Sequence, residues 1–355
     1  MKSEHRQTHT SCEKKAMKST NNSTKTNQPL SGAKKSSSRT PRQPAKKSIK
    51  EIQDETAQKL VDMMKTSGSN WMKPWSTRPN INSFSKKAYK GINVFLTGDS
   101  TSHNSFSSPQ WATFMQWKEA GLFPIKGEKA TRILRFVVKE LDEDSKEICS
   151  SDRIVDGRFV KYAGFVTHAI FNASQIQDYD VSKEVDPVDW KTPEDVEEFI
   201  KVVNPVLKVD PNRAFYRLKA DFIALPQMGS FKDTLNSTAK ENYYAALFHE
   251  LTHWTGAKHR LDRLDDKDRA FEELIAEIGS ALLCAQFGIS ATPREDHAQY
   301  LNHWISAIEE DSKVMLKAFS QAQKAVDFLL NLAESNKVKQ PIEEPTDAEQ
   351  LAFAF

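Results

Sequence analysis

The sequence predicts an α+β chain in which a small mixed α/β front part precedes a mainly helical back part. Three observations predict it. Strand-like runs at Thr131–Val138 and Phe159–Phe171 lie in front, whereas three long patterns of 3.6-residue apolar periodicity lie behind. Aromatic residues crowd positions 71–117, interleaved with lysines. Charge is divided as well: of 355 residues, 50 are Lys or Arg and 48 are Asp or Glu. Yet residues 1–50 carry a net +11, residues 51–135 a net +5 and residues 136–355 a net −14. An asymmetry of that size points to a polyanion-binding front and a different task behind.

Composition excludes several classes. Three cysteines, Cys12, Cys149 and Cys284, cannot build a disulfide framework, and none sits in a metal-binding pair, which fits a reducing compartment. No run approaches 18 apolar residues, so no membrane span is expected. The first thirty residues lack an apolar core of the secretory type, and a cytoplasmic protein is expected.

In chain order, residues 1–48 are rich in Lys, Ser, Thr, Asn, Gln and Pro and have little to bury. They read as a disordered basic arm, either a solvating tail or an aid to non-specific phosphate binding. A first domain is expected over 49–177. It opens with an amphipathic helix carrying Ile52, Leu60, Val61 and Met64 and ending at Ser67-Gly68. Ser108–Ala120 reads as a helix, with Trp111, Phe114 and Trp117 packing it on a sheet. Lys126-Gly127-Glu128-Lys129 reads as a turn into the 131–138 strand. Residues 139–157 read as an acidic hairpin or insertion. A linker is placed at 178–190, which is acidic and contains Pro187. The second domain, 191–335, begins with a helix over Thr192–Val203 and a single alternating strand over Ala214–Leu225. Helical patterns follow at Ala239–Gly256, Phe271–Phe287 and Pro293–Leu332, the last broken near Glu309–Asp311, and Gly288 is a plausible cap for the middle one. Residues 336–355 read as a flexible acidic tail.

The chemistry-bearing motif is His249-Glu250-Leu251-Thr252-His253. Residues four apart share a helical face, so both imidazoles reach one Zn²⁺, with Glu250 beside the open coordination position as general base. Zinc brings its water towards neutrality, and such a carboxylate takes the proton as the water attacks a carbonyl. A third ligand is needed. Gly256 and His259 extend the motif to the metzincin spacing, but the Met-containing turn of that class has no counterpart, since Met315 lies in a helical stretch. Glu273 and Glu277 lie four apart on one face of an apolar helix, and buried carboxylates are costly unless paired or bound to metal. This gluzincin-like arrangement favours Glu273 as ligand and Glu277 as the carboxylate orienting a ligating histidine, with His259 and Glu277 as alternative ligands.

In the front part, bases of single-stranded nucleic acid are expected to stack on aromatic rings while cations follow the backbone. Trp71, Lys73, Trp75, Lys86, Tyr89, Lys126 and Lys129 are the candidates.

Several blocks together resemble the N-terminal domain of ArdC-type antirestriction proteins, a domain also found at the front of plasmid TraC primases. They are Trp71-Met72-Lys73-Pro74-Trp75, Tyr89-Lys90-Gly91-Ile92-Asn93, Trp111-Ala112-Thr113-Phe114, Lys126-Gly127-Glu128-Lys129 and Phe171-Asn172-Ala173-Ser174-Gln175. Tyr243-Tyr244, the 249–256 stretch and Glu272-Glu273-Leu274-Ile275-Ala276-Glu277 resemble that family's zincin-like metallopeptidase domain. The resemblance covers roughly 51–335. It implies a small mixed α/β single-stranded DNA-binding domain, Asn93 among its binding residues, before a mainly helical zincin related to SprT-like proteases. It also implies one Zn²⁺ ion and a mobile-element protein that shields incoming plasmid DNA from host restriction during conjugation. A DNA-associated protein is the expected peptidase substrate. The alternatives are a DNA-coating protein with a structural metal and a metallopeptidase effector toxin. No primase-like region follows the zincin, which argues against a TraC primase.

Overall fold

The structure, a computed structural model, describes residues 48–68, 71, 80–140, 153–155, 158–183, 192–235, 237–264, 268–289 and 298–339. The arm at 1–47, Lys73, Trp75, the middle of the acidic insertion, the linker beyond Lys183 and the tail from 340 lie outside the described residues.

Helix α1 (Ile49–Ser67) starts at Ser48, whose hydroxyl accepts the Glu51 N–H while the Glu51 carboxylate accepts the Ser48 N–H. The expected stripe of Ile52, Leu60, Val61 and Met64 is buried. Strand β1 (Ile81–Asn82) is followed by helix α2 (Ile92–Asn104), which the sequence reading missed. Strand β2 (Gln110–Thr113) and the short helix α3 (Phe114–Glu119) replace the single helix expected over Ser108–Ala120. The reason is tertiary pairing, which overrides local helix preference. Trp111, Ala112 and Thr113 lie opposite Asn172, Phe171 and Ile170, and Thr113 then caps α3 in a reciprocal bond pair with Gln116. Strands β3 (Thr131–Glu140), β4 (Arg153–Val155) and β5 (Arg158–Asn172) complete a sheet of order β1-β2-β5-β3, with β4 on β5. Among the described residues of this sheet, β1 and β2 pair parallel and the other pairs are antiparallel.

Helix α4 (Asp195–Val203) leads to a three-stranded sheet. Strands β6 (Leu207–Val209), β7 (Phe215–Arg217) and β8 (Phe222–Leu225) lie in the order β6-β8-β7. The strand expected over Ala214–Leu225 is therefore two strands. A 3-10 turn at Leu218–Ala220 and Asp221, at φ +49°, reverse the chain between them. The Asp221 carboxylate holds that reversal by accepting from the Tyr216 hydroxyl and Arg260. Helices α5 (Ala239–Thr255), α6 (Arg269–Gln286), α7 (Ala298–Glu310) and α8 (Lys313–Lys339) follow. The break between α7 and α8 falls where the sequence placed it.

Residues Lys47–Phe355 group as one unit. Apolar side chains of α1 and α2 join those of α4, α5, α6, α7 and α8 in one buried cluster. Polar fasteners reinforce it. The Gly91 N–H donates to Gln323 Oε1 at 2.7 Å, Lys90 pairs with Asp327 at 2.7 Å and Lys65 with Glu309 at 2.6 Å. Among the described residues, no helix is long and apolar enough to cross a membrane.

Candidate metal centre

Helices α5 and α6 build the centre by lying unusually close. A Cβ on Gly279 of α6 would fall 2.6 Å from Thr252 Cγ2 and Oγ1, so glycine is required where the helices approach. Ser280 Oγ donates to the Ala245 carbonyl at 2.8 Å beside it. This proximity brings α6 carboxylates to the imidazoles of α5. His249 and His253 place their Nε2 atoms 3.1 Å apart, and Glu273 Oε2 lies 3.3 Å from the first and 3.5 Å from the second. A tetrahedral ion with ligand bonds of about 2.0–2.1 Å has ligand–ligand edges of about 3.3–3.4 Å, so the three donors fit such an ion. Among the described residues, this is the one His/Cys/Asp/Glu trio so gathered.

The electrostatics of the metal-free centre are those of an ion-paired cluster. Burial opposes charge on His253, but the carboxylates of Glu272 and Glu273, with Glu250 behind them, push it up to about 10. Burial also opposes charge on Glu273, yet hydrogen bonds from His249 and His253 hold it well below the ordinary carboxylate range. Glu272 is lowered in the same way, by Arg263 and His253 against its burial. A metal ion must displace the His253 proton to bind. Glu250, next to His249 on α5, is buried.

Two sequence-based assignments change. His259, offered as an alternative ligand, is 62 % exposed and lies 3.3 Å from Asp221 Oδ2, outside the trio. Beyond Thr255 the chain folds back, with the Arg263 and Leu264 N–H groups donating to the Gly256 carbonyl, and His259 rides the outside of that turn. Glu277, expected to orient a ligating histidine, is buried one turn beyond Glu273. The carboxylate on His253 is instead Glu272, whose Oε1 accepts from His253 Nδ1 at 3.0 Å. Glu272 and its partner Arg263 were missed as functional residues. The adjacent pair Glu272-Glu273 was the available signal: neighbours about 100° apart on a helix can meet the two nitrogens of one imidazole from different sides.

The front candidates divide. Trp71 is 1 % exposed inside the shared core, so it offers no face to a base, contrary to expectation. Burial pushes the Tyr89 hydroxyl up to about 12. The Asn93 side-chain amide both donates to the Leu134 carbonyl and accepts the Leu134 N–H, which ties α2 to β3 rather than reaching out. Lys86, Lys126 and Lys129 are exposed as expected. The exposed aromatic residues of the front part are different ones from those expected: Phe84, Phe114 and Phe123 are 42–47 % exposed. Phe114 was expected in the core. Phe84 packs edge-on against Trp117 at 5.2 Å, and buried Trp117 forms a small cluster with Ala112, Ala173, Ile176 and Leu122. Of the three exposed rings, Phe84 is thus anchored on a buried tryptophan.

Residues 194–321 match a zincin-like metallopeptidase family, and residues 50–163 match the N-terminal domain of anti-restriction factor ArdC. The crystal structure of antirestriction ArdC protein from the R388 plasmid in its Mn(II)-bound form is 30% identical, with a TM-score of 0.63. The match covers 79% of this chain and 98% of that one. The chain belongs to the ArdC antirestriction family. The metal-free ArdC structure of the same plasmid aligns with a TM-score of 0.65 at 29% identity, covering 80% of this chain and 98% of that one. Protein y4eC of Sinorhizobium fredii is 26% identical over 82% of this chain and 94% of its own length. DNA primase TraC of Escherichia coli is 30% identical over 85% of this chain, which spans only 29% of that primase. On this ArdC-family chain the zincin-like match holds His249, Glu250, His253, Arg263, Glu272 and Glu273 together. The ArdC N-terminal match holds Phe84, Phe114, Phe123 and the three exposed lysines.

Proposed function

We propose that this chain is a two-function antirestriction protein: its front part holds single-stranded DNA, and its back part is a zinc-dependent peptidase acting on a DNA-associated protein. The observation that carries the reading is the trio His249, His253 and Glu273, with donor atoms 3.1–3.5 Å apart and Glu250 buried beside them. Two imidazoles and one carboxylate suit zinc, whereas an all-oxygen octahedral set would suit magnesium or manganese. When bound, the ion would supply Lewis acidity that polarises a peptide carbonyl for hydrolysis of its C–N bond. Glu250 is the group that accepts the proton of the hydrolytic water and returns it to the leaving amine. On the front part, Phe84, Phe114 and Phe123 are the stacking surface, and Lys86, Lys126 and Lys129 follow phosphates.

One observation favours a second reading. Both His249 and Glu250 are only 3 % exposed, as in a closed site whose ion holds the fold together, while the front part coats the strand.

Replacement Glu250→Gln separates the two. The variant is expected to retain metal and to bind a single-stranded oligonucleotide normally, but to lose protection of an incoming plasmid in a restricting host. Full protection by the variant would overturn the peptidase reading and leave the coating one. In the same assay, alanine at Phe84, Phe114 and Phe123 together is expected to abolish strand binding. Unchanged binding by that triple variant would remove the proposed stacking surface.

A further inference from the structure

We infer that Arg263 is a positioning residue of the metal centre: it locks the Glu272 carboxylate, and through it the His253 imidazole, in the orientation that an ion needs. This inference rests on the metal-site reading above. The guanidinium meets Glu272 with both prongs, Nε to Oε2 at 2.8 Å and Nη2 to Oε1 at 2.8 Å. Its Nη2 also donates to the Thr252 carbonyl at 2.7 Å, and its Nη1 to Thr255 Oγ1 at 3.2 Å. One side chain thereby joins the last turn of the ligand-bearing helix α5 to the first turn of α6. Both partners are secluded, with 7 % and 11 % of their side chains exposed. Glu272 Oε1 is the same atom that takes the His253 Nδ1–H, so the fork sets where that acceptor sits. Because the two ring nitrogens are rigidly linked, fixing Nδ1 aims Nε2 at His249 and Glu273.

Gly256 is part of the device. Its backbone is ordinary, at φ −79°, so conformational freedom does not explain a glycine there. Space does. A Cβ would fall 2.8 Å from Leu264 Cγ, 3.0 Å from Arg263 Nη2 and 3.1 Å from the His253 carbonyl. The glycine of the extended His-Glu-x-x-His-x-x-Gly spacing therefore makes room for the returning arginine, and the histidine that completes that spacing is a bystander.

A merely structural role is the rival account, because a buried ion pair can be exchanged for other side chains with little change in stability. Lysine discriminates the two, since it keeps the charge but has no planar fork. The experiment uses the full chain, metal-free and then titrated with zinc alone against a competing chelator, and with cobalt(II) as a spectroscopic probe of ligand geometry. The expected results for Arg263→Lys are a fold still intact by circular dichroism, a zinc affinity 10–100-fold weaker, and a displaced cobalt visible band. Gly256→Ala is expected to weaken zinc in the same direction. Adding Glu272→Gln to Arg263→Lys is expected to weaken zinc no further than the worse single variant, since the two act in series. Wild-type affinity and an unshifted cobalt band in Arg263→Lys, or fully additive losses in the double variant, would overturn the inference alone. A wild-type chain that binds neither ion would overturn the metal-site reading and this inference with it.

Discussion

Replacing Gly279 by alanine tests how the two helices that make the centre are held. Elsewhere in a helix interior this change is stabilising by about 1 kcal/mol. Here the new Cβ lands 2.6 Å from both Thr252 Oγ1 and Cγ2, and 3.1 Å from Thr252 Cβ. Thr252 has little room to yield, because its hydroxyl donates to the Phe248 carbonyl at 2.8 Å. The helices must separate instead. Overpacking of this kind costs about 1–3 kcal/mol. Set against the helix-forming gain of about 1 kcal/mol, a net loss of up to about 2 kcal/mol is expected. For a unit of this size that lowers Tm by up to roughly 8 °C. The same separation carries Glu273 away from imidazoles now 3.3 and 3.5 Å from it, and zinc affinity is expected to fall at least about tenfold, or 1.4 kcal/mol. Thermal unfolding in chelator gives the first number, and a competitive zinc titration gives the second. Thr252→Ala in the same chain removes the clashing atoms and is expected to recover at least about 1 kcal/mol in a double-mutant cycle. Should Gly279→Ala raise Tm and leave zinc affinity untouched, the claimed close contact does not exist in solution.

Two further predictions concern the ligands. Glu273→Ala is expected to lose the ion, while His259→Ala retains one ion per chain by elemental analysis; a fully loaded Glu273→Ala chain would refute the ligand set. The pH dependence follows from His253, raised from 6.5 to about 10 in the metal-free fold. Its contribution to metal-free stability is fully present below 6.5 and is lost as pH rises through about 10. Zinc uptake at pH 7 should therefore release close to one proton from this residue, read by calorimetry in buffers of different ionisation heat. Uptake with no proton release would show that His253 is already neutral.

Helix α1 and the helices of the back part were the most legible elements, whereas α2 went unread. Ser48, Thr238 and Asp268 each cap a helix at the start of an apolar periodicity, and the motif at 249–253 sits where that periodicity put it. The errors arose where distant partners decide. Gln110–Thr113 became a strand because β5 was there to receive it. Ala214–Leu225 was split by Asp221, whose reversal depends on Arg260, 39 residues away. At the centre, spacing singled out His249 and His253 and favoured Glu273 as third ligand over Glu277 and His259. It chose Glu277 to orient a ligating histidine and passed over Glu272, because the carboxylate on His253 Nδ1 is decided by which side of α6 faces Arg263. Trp71 failed for a similar reason: a tryptophan among lysines looks alike in sequence whether it serves a core or a strand of DNA.

Because α1 and α2 have their apolar flanks against α7 and α8, and Lys65, Lys90 and Gly91 are tied down on the same partners, these two front helices and those after the second sheet share one interior. Cutting between them would strip a greasy seam on both pieces.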